Sequence, residues 1–423
     1  MKRVYFIGIG GIGVSALARF YLSNGWQVLG SDVCESDITK DLIKNGANIF
    51  IGKQKKENIK NYDLIIYSPA IKDDNSELKE AKEKEIKLMS YPQALGELTK
   101  EYFTIAISGT HGKSTTTAML ALILIKAGFD PTVIIGTKLK EFNNSNFRSG
   151  NSKYLLIEAC EHEASFLNYW PQVIVITNIE EDHLDFYSNL DNIKKAFNEF
   201  VSHLDKDGVL IKRKDVNIEK KAVDFSLKDI EVEALRKIMR VPGDHNILNA
   251  LAALKVARIL EIEDNVSFGA LSEYFGSWRR FEITKLPKFI LIDDYAHHPT
   301  EIEATLRAVK EKYLDKKIFC VFQPHQYQRT KLLFNNFVSV FNKAIKEKWI
   351  DNLIFLQVYD VLGRETEDKT FDSKKLALNI NNSKYINKQE LFNQIQGAEV
   401  LIMMGAGDIY DLSEELKKSC KFC

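Results

Sequence analysis

Lys113 and Ser114 close the run Ile105-Ala106-Ile107-Ser108-Gly109-Thr110-His111-Gly112-Lys113-Ser114-Thr115. In it a short apolar stretch breaks at glycines and resumes as a helical pattern from Ala118 to Lys126. This order predicts a strand, a tight loop and a helix N-terminus. The backbone N–H groups of such a loop and the positive helix end face anions. Lys113 adds a point charge, and the Ser114 hydroxyl is a natural Mg²⁺ ligand. The widespread loop G-x-x-x-x-G-K-[ST] would need glycine at 107. Here Ile107 stands there and the first glycine is Gly109, so the loop is the tighter G-T-x-G-K-[ST]-T. Gly109, Thr110, His111, Gly112, Lys113, Ser114 and Thr115 are the expected triphosphate cradle.

Other chemistry-bearing residues cluster at the ends of predicted strands. Lys153–Ile157 leads into Glu158-Ala159-Cys160-Glu161, and Val173–Thr177 leads into Asn178-Ile179-Glu180-Glu181-Asp182-His183. In a parallel sheet such ends converge beside the loop that follows the first strand. Glu158 and His183 would then meet the phosphates, as sites for hard divalent cations require. Near the N-terminus, Gly8-Ile9-Gly10-Gly11-Ile12-Gly13 follows a strand and opens a helix, and Asp32 ends the next strand. That is a G-x-G-x-x-G fingerprint for a diphosphate, with Asp32 placed to accept from a hydroxyl. From the motif alone NAD is the usual reading, and a UDP-sugar uses the same geometry. Asn246 and Asn249 share a helical face and can read a base edge, or Asn246 can cap the helix. Arg279-Arg280 offers planar forks for phosphate or carboxylate. His297 and His298 follow a strand, where substrate contact or loop hydrogen bonding is expected and a shared metal is not.

The elements that must hold these residues alternate strand and helix throughout, so the expected class is α/β. Three domains are expected: a Rossmann-like domain over 1–100, a central P-loop ATPase-type parallel-sheet domain over 101–285, and a second Rossmann-like α/β domain over 286–423. Leu64–Tyr67 is read as a strand that ends in Ser68-Pro69-Ala70, and 89–92 as a connector. The stretch 212–240 gives no clear pattern.

Composition narrows the function. Lys+Arg and Asp+Glu are both 58, a formal net charge of zero. General binding to nucleic acid or acidic membrane needs a basic surplus, so neither is expected. Cys34, Cys160, Cys320, Cys420 and Cys423 are scattered and odd in number, which implies no disulfide framework. The Cys420/Cys423 spacing reads as a reduced tail. Glycines interrupt the apolar run after Met1-Lys2-Arg3, so a cytoplasmic fold is expected there and not a leader. No apolar run approaches the ~20 residues of a membrane span.

The tight loop, and with it most of the chain, resembles the Mur ligase family of ATP-dependent amide-forming enzymes. Glu158 matches the family's metal-binding Glu and Asn178-x-x-x-Asp182-His183 its Asn-x-x-x-Asp-His stretch, and His245-Asn246-x-x-Asn249-Ala250 matches the segment that contacts the ATP base. Gly30-Ser31-Asp32, Tyr67-Ser68-x-Ala70-Ile71, Arg279-Arg280-Phe281-Glu282, Asp293-Asp294-Tyr295-x-His297-His298-Pro299-Thr300-Glu301 and Phe322-Gln323-Pro324-His325-x-Tyr327-x-Arg329-Thr330 resemble the alanine-adding branch. The resemblance implies ATP and Mg²⁺ as cofactors, and UDP-N-acetylmuramate and L-alanine as substrates. It implies a monomer or weak homodimer. Ser114, Glu158 and His183 would hold metal, with Lys113, Glu158 and His183 carrying the chemistry. Gly8, Gly10, Gly11, Ile12, Gly13, Asp32, Ser68, Ala70, Asn178 and Arg280 would hold the sugar nucleotide. Asp294, His297, His298 and Arg329 would serve the amino acid, with His297 or Asp294 helping to deprotonate the amine. Cys160, Trp278 and Gln326 depart from the branch pattern, and no carbamylated lysine is carried over. Three other readings stay open: a ligase that adds a recycled peptide to the same sugar, an NAD-dependent oxidoreductase, and a non-catalytic nucleotide-binding regulator.

Overall fold

The computed structural model describes residues 1–360 and 368–419. The Cys420/Cys423 pair lies outside the described residues. The chain is α/β, with three strand assemblies in two compact units. The first unit is Met1–Ile238 with Leu248–Glu273, and the second is Met239–Ile247 with Tyr274–Cys423.

The first sheet contains, among the described residues, β1 (Arg3–Ile7), β2 (Gln27–Asp32), β3 (Asn48–Ile51), β4 (Leu64–Tyr67) and β5 (Leu88–Ser90), ordered β3-β2-β1-β4-β5 and all parallel. Val4 to Ile7 are fully buried because the central strand of a parallel sheet is covered on both faces. Here 89–92 differs from the expected connector. Leu88–Ser90 is an edge strand, and Ser90 then caps the helix Tyr91–Glu101 through a reciprocal bond with Gln93. A three-residue strand is too short to show a period, so only its pairing reveals it.

The second sheet comprises β6 (Phe103–Ser108), β7 (Thr132–Leu139), β8 (Ser145–Arg148), β9 (Tyr154–Glu158), β10 (Val173–Ile176), β11 (Val209–Arg213) and β12 (Ala222–Phe225), in the order β12-β11-β10-β6-β9-β7-β8. Only the β7–β8 pair is antiparallel among its pairings. The illegible stretch 212–240 resolves into the end of β11, the edge strand β12 and the helix Val232–Ile238. β12 presents Val223 and Asp224 to solvent, which explains its weak apolar signal. β6 lies between β9 and β10. This neighbourhood brings the ends of β9 and β10 to either side of the loop that leaves β6. The helix Ile12–Ser23 packs on β7 and β8, where Arg19 donates to Asn146 at 2.9 Å.

In the second unit β13 (Glu282–Lys285), β14 (Ile290–Asp294), β15 (Ile318–Phe322), β16 (Asn352–Phe355), β17 (Ser383–Tyr385) and β18 (Val400–Met404) are ordered β13-β14-β18-β15-β16-β17. All pair in parallel except β13 with β14. Its core packs Phe322, Phe337, Phe341 and Phe355 on one side of the sheet.

Candidate active site

The loop after β6 forms as its sequence predicts and runs into the helix Lys113–Lys126. Gly112 is the N-cap at φ 83°, a left-handed conformation that glycine adopts without strain. A side chain there would also collide with the Asn249 amide. Ser114 and Thr115 are buried in the first turn. The loop is stitched to the tail of β10. Thr110 N–H donates to the Asn178 carbonyl at 3.1 Å, His111 N–H to Asn178 Oδ1 at 2.8 Å, and Glu180 N–H to Thr110 Oγ1 at 2.9 Å. The His111 ring lies 3.6 Å from Glu180. Asn178, expected at the sugar nucleotide, thus has a bracing contact in the loop. Asn249 accepts from Thr116 Oγ1 at 3.2 Å and supports the loop from behind. Asn246 lies inside the helix Asp244–Ile259, not at its cap, and donates to the Pro242 carbonyl at 2.7 Å.

Lys113 curls back over its own loop. Nζ donates to the carbonyls of Gly109 at 2.6 Å and Thr110 at 3.1 Å, and pairs with Glu161 Oε2 at 2.8 Å. Burial pulls the ammonium down, but Glu161 foremost, with Cys160 and Glu158, outweighs it and holds Lys113 above the usual lysine range. Sequence reasoning kept Glu161 beside Glu158 in the Glu-Ala-Cys-Glu run but assigned it no specific role. Its position three residues after Glu158, at the same strand end, was the available signal. Glu158 itself accepts from Gly136 N–H at 2.8 Å, and a Cβ on Gly136 would sit 2.8 and 2.9 Å from the two carboxylate oxygens. His183 Nε2 lies 4.0 Å from Glu161 Oε1 and 3.7 Å from Asp182 Oδ2. Tyr187 donates its hydroxyl to the Glu161 carbonyl at 2.5 Å.

The glycine loop of the first sheet is closed by its own acid. Asp32 Oδ2 accepts from Gly10 N–H at 2.8 Å, where the sequence predicts a ligand hydroxyl. Gly11 caps the helix at Ile12, and Gly8 abuts Ser68, whose Oγ accepts from Ala70 N–H at 3.3 Å. A Cβ on Gly13 would meet the Tyr91 hydroxyl at 3.0 Å. Tyr91 is a further residue at this loop that sequence reasoning passed over.

The second unit gathers its own polar cluster. Asp294 accepts from Phe281 N–H and Ala296 N–H, both at 2.8 Å. Burial pushes its carboxyl up to about 6, against the pull of those donors and of Arg280. With both oxygens engaged it is a structural anchor at the end of β14. His298 caps the helix Pro299–Lys312, reciprocally with Glu301. His297 Nδ1 lies 3.1 Å from the Tyr295 carbonyl and 3.4 Å from Glu301, which also stands 3.8 Å from Arg280. Arg280 covers the Tyr295 ring at 4.9 Å. Arg329 donates to His325 Nδ1 at 3.1 Å, and the rings of His325 and His297 are 5.9 Å apart. His245 lies in the first turn of the helix Asp244–Ile259, and burial lowers its imidazole to about 4, so it is neutral at pH 7.

These loops and strand ends are matched by three family models: the Mur ligase catalytic-domain model at residues 3–103, the Mur ligase middle domain at 107–231, and the Mur ligase glutamate ligase domain at 279–408. The chain belongs to the Mur ligase family. It is 41% identical to the UDP-N-acetylmuramate–L-alanine ligase of Clostridium botulinum (strain Okra / Type B1), over 98% of this chain and 97% of that one. It is 39% identical to the protein of the same name from Clostridium beijerinckii, over 99% and 98%. Among solved structures, the UDP-N-acetylmuramate–alanine ligase of Thermotoga maritima superposes with a TM-score of 0.82 at 29% identity, covering 99% of both chains. A murein peptide ligase from Psychrobacter arcticus has a TM-score of 0.70 at 20% identity, again over 99% of both, which speaks to the fold alone.

Proposed function

We propose that this chain is an ATP-dependent ligase that joins L-alanine to the carboxylate of UDP-N-acetylmuramate, giving ADP and phosphate. One observation carries the chemistry: Lys113, on a phosphate-type loop, is paired at 2.8 Å to a buried carboxylate at the neighbouring strand end. Supporting it is the match along nearly the whole chain to relatives of that name.

A carboxylate is a poor electrophile toward an amine. Moving the γ-phosphoryl group onto it gives an acyl phosphate, which the amine attacks with loss of phosphate. Such transfer is mainly positioning and charge neutralisation. The loop N–H groups and Lys113 would bind the phosphates, with the ammonium exchanging the Gly109 and Thr110 carbonyls for phosphate oxygens. Glu161 keeps that ammonium charged and aimed. The hydroxyl of Ser114, the carboxylates of Glu158 and Glu161 and the single imidazole of His183 would make an oxygen-rich donor set, which suits Mg²⁺. Ser114, Glu158 and His183 would hold it. When bound, Mg²⁺ supplies charge neutralisation between the phosphates and the attacked carboxylate. The domains 1–100, 101–285 and 286–423 would take the sugar nucleotide, ATP and the amino acid respectively. Of the two candidate bases, His297 has the better claim, because both oxygens of Asp294 hold backbone amides. His245, neutral at pH 7, and Asn249 are the candidates for the ATP base.

The test is phosphate release from ATP with UDP-N-acetylmuramate and each of L-alanine, L-serine, glycine and the recycled tripeptide. Release that requires the sugar nucleotide and L-alanine supports the proposal. Release with the tripeptide alone points to the peptide-adding reading, and release with neither removes both.

A further inference from the structure

Two turns beside Lys113 are built in a backbone conformation that ordinary residues avoid. Glu163 and Ala164 are left-handed in succession, at φ 50° and 52°, and His183 is left-handed at φ 52°. For L-residues other than glycine this costs about 1–2 kcal/mol apiece, and such strain persists only where its surroundings enforce it. The enforcement is visible. The Glu161 carbonyl accepts from Ala164 N–H at 2.9 Å within its own turn, and from the Tyr187 hydroxyl at 2.5 Å across to the other. The residue delivered by the first turn is His162. Its ring meets the ring of His183 edge to face, with centroids 4.4 Å apart and planes at 66°.

His183 opens a helix of only four residues, Leu184–Tyr187, so its own element gives its ring little restraint. A ring that must aim one nitrogen needs its second torsion fixed. Asp182 and Glu161 face that nitrogen, and the His162 ring stands edge to face with the His183 ring.

We propose that His162 is a positioning residue: its ring fixes the orientation of the His183 imidazole for the divalent cation that accompanies ATP. This rests on the reading of His183 as a metal-holding residue. Outer partners of metal ligands typically change metal affinity by 10- to 100-fold when removed, and an edge-to-face contact depends on a planar ring and not on its nitrogens.

The experiment uses Mn²⁺ as the probe, with the free ion followed by its electron paramagnetic resonance signal. The full chain is titrated in the presence of a non-hydrolysable ATP analogue, and thermal melts establish folding. His162→Ala is expected to weaken Mn²⁺ binding about tenfold, His162→Phe to stay within about twofold of the parent, and His183→Ala to lose the same binding component. If His162→Ala binds as the parent does while His183→Ala fails, the positioning role is overturned and the role of His183 survives. If His162→Phe is as weak as His162→Ala, a nitrogen of His162 acts directly and the proposal falls. If His183→Ala binds normally, both readings fall. Should His162→Ala not fold, His162→Leu fills the space without a planar ring and makes the same test.

Discussion

Glu161 Oε2 stands 2.8 Å from Lys113 Nζ, with the two side chains 4% and 13% exposed. A buried pair of this kind costs much more to break than to do without. Removing one member strands the other, a loss of about 3–5 kcal/mol.

Lys113→Ala is therefore expected to fail twice. Turnover should fall by about 10³-fold or more, since preorganised electrostatics supply that much, and the melting temperature should drop as well. Lys113→Met combined with Glu161→Gln should recover most of the stability and none of the turnover. Phosphate-release assays beside thermal melts separate the two effects, and near-normal turnover in Lys113→Ala would refute the assigned role.

Glu158→Ala should raise the Mg²⁺ concentration needed for half-maximal rate while leaving sugar-nucleotide binding intact. An unchanged Mg²⁺ titration rejects Glu158 as a metal-holding residue.

Gly136→Ala tests the same carboxylate from the other side. The added Cβ would lie 2.8 Å from Glu158 Oε2, so the carboxylate must shift. A partial copy of the Glu158→Ala metal phenotype is expected, with a fold as stable as the parent to within about 1–3 kcal/mol. Normal metal dependence would mean that the carboxylate moves without consequence.

Asp294 sets a pH dependence of stability. Its carboxyl is raised to about 6 by burial, whereas the unfolded chain titrates near 3.9. The folded state therefore holds the proton longer. The stability this gives is complete below about pH 4, and is lost as pH rises through 6, a change of about 3 kcal/mol. Asp294→Asn removes the titration. Its cost relative to the parent, read from urea midpoints, should be larger at pH 4 than at pH 7. A cost independent of pH would show that the carboxyl titrates normally.

The phosphate loop, the N-terminal glycine loop and the strand ends were legible because each is a local constraint. Gly112 needs its positive φ wherever it occurs, and a glycine break between an apolar strand and a helix has few other readings. The edge strands Leu88–Ser90 and Ala222–Phe225 were not, since short half-exposed strands carry almost no period. The pairing of Lys113 with Glu161, and of His162 with His183, was hidden for another reason. It depends on which strand ends become neighbours in the sheet, and β6 between β9 and β10 is a fact of topology. The same holds for Asn178, whose amide chemistry was plain but whose partner, His111, was set by that neighbourhood.

The bond from the Gly10 amide to Asp32 bears on discrimination. A phosphate seeking that amide must first evict a carboxylate of its own sign. Small anions, which bring few other contacts, gain too little to do so. A large nucleotide would recruit compensation from the rest of its length, so under the proposed function the loop's own acid would act as a threshold that favours extended ligands over the inorganic phosphate that the reaction releases.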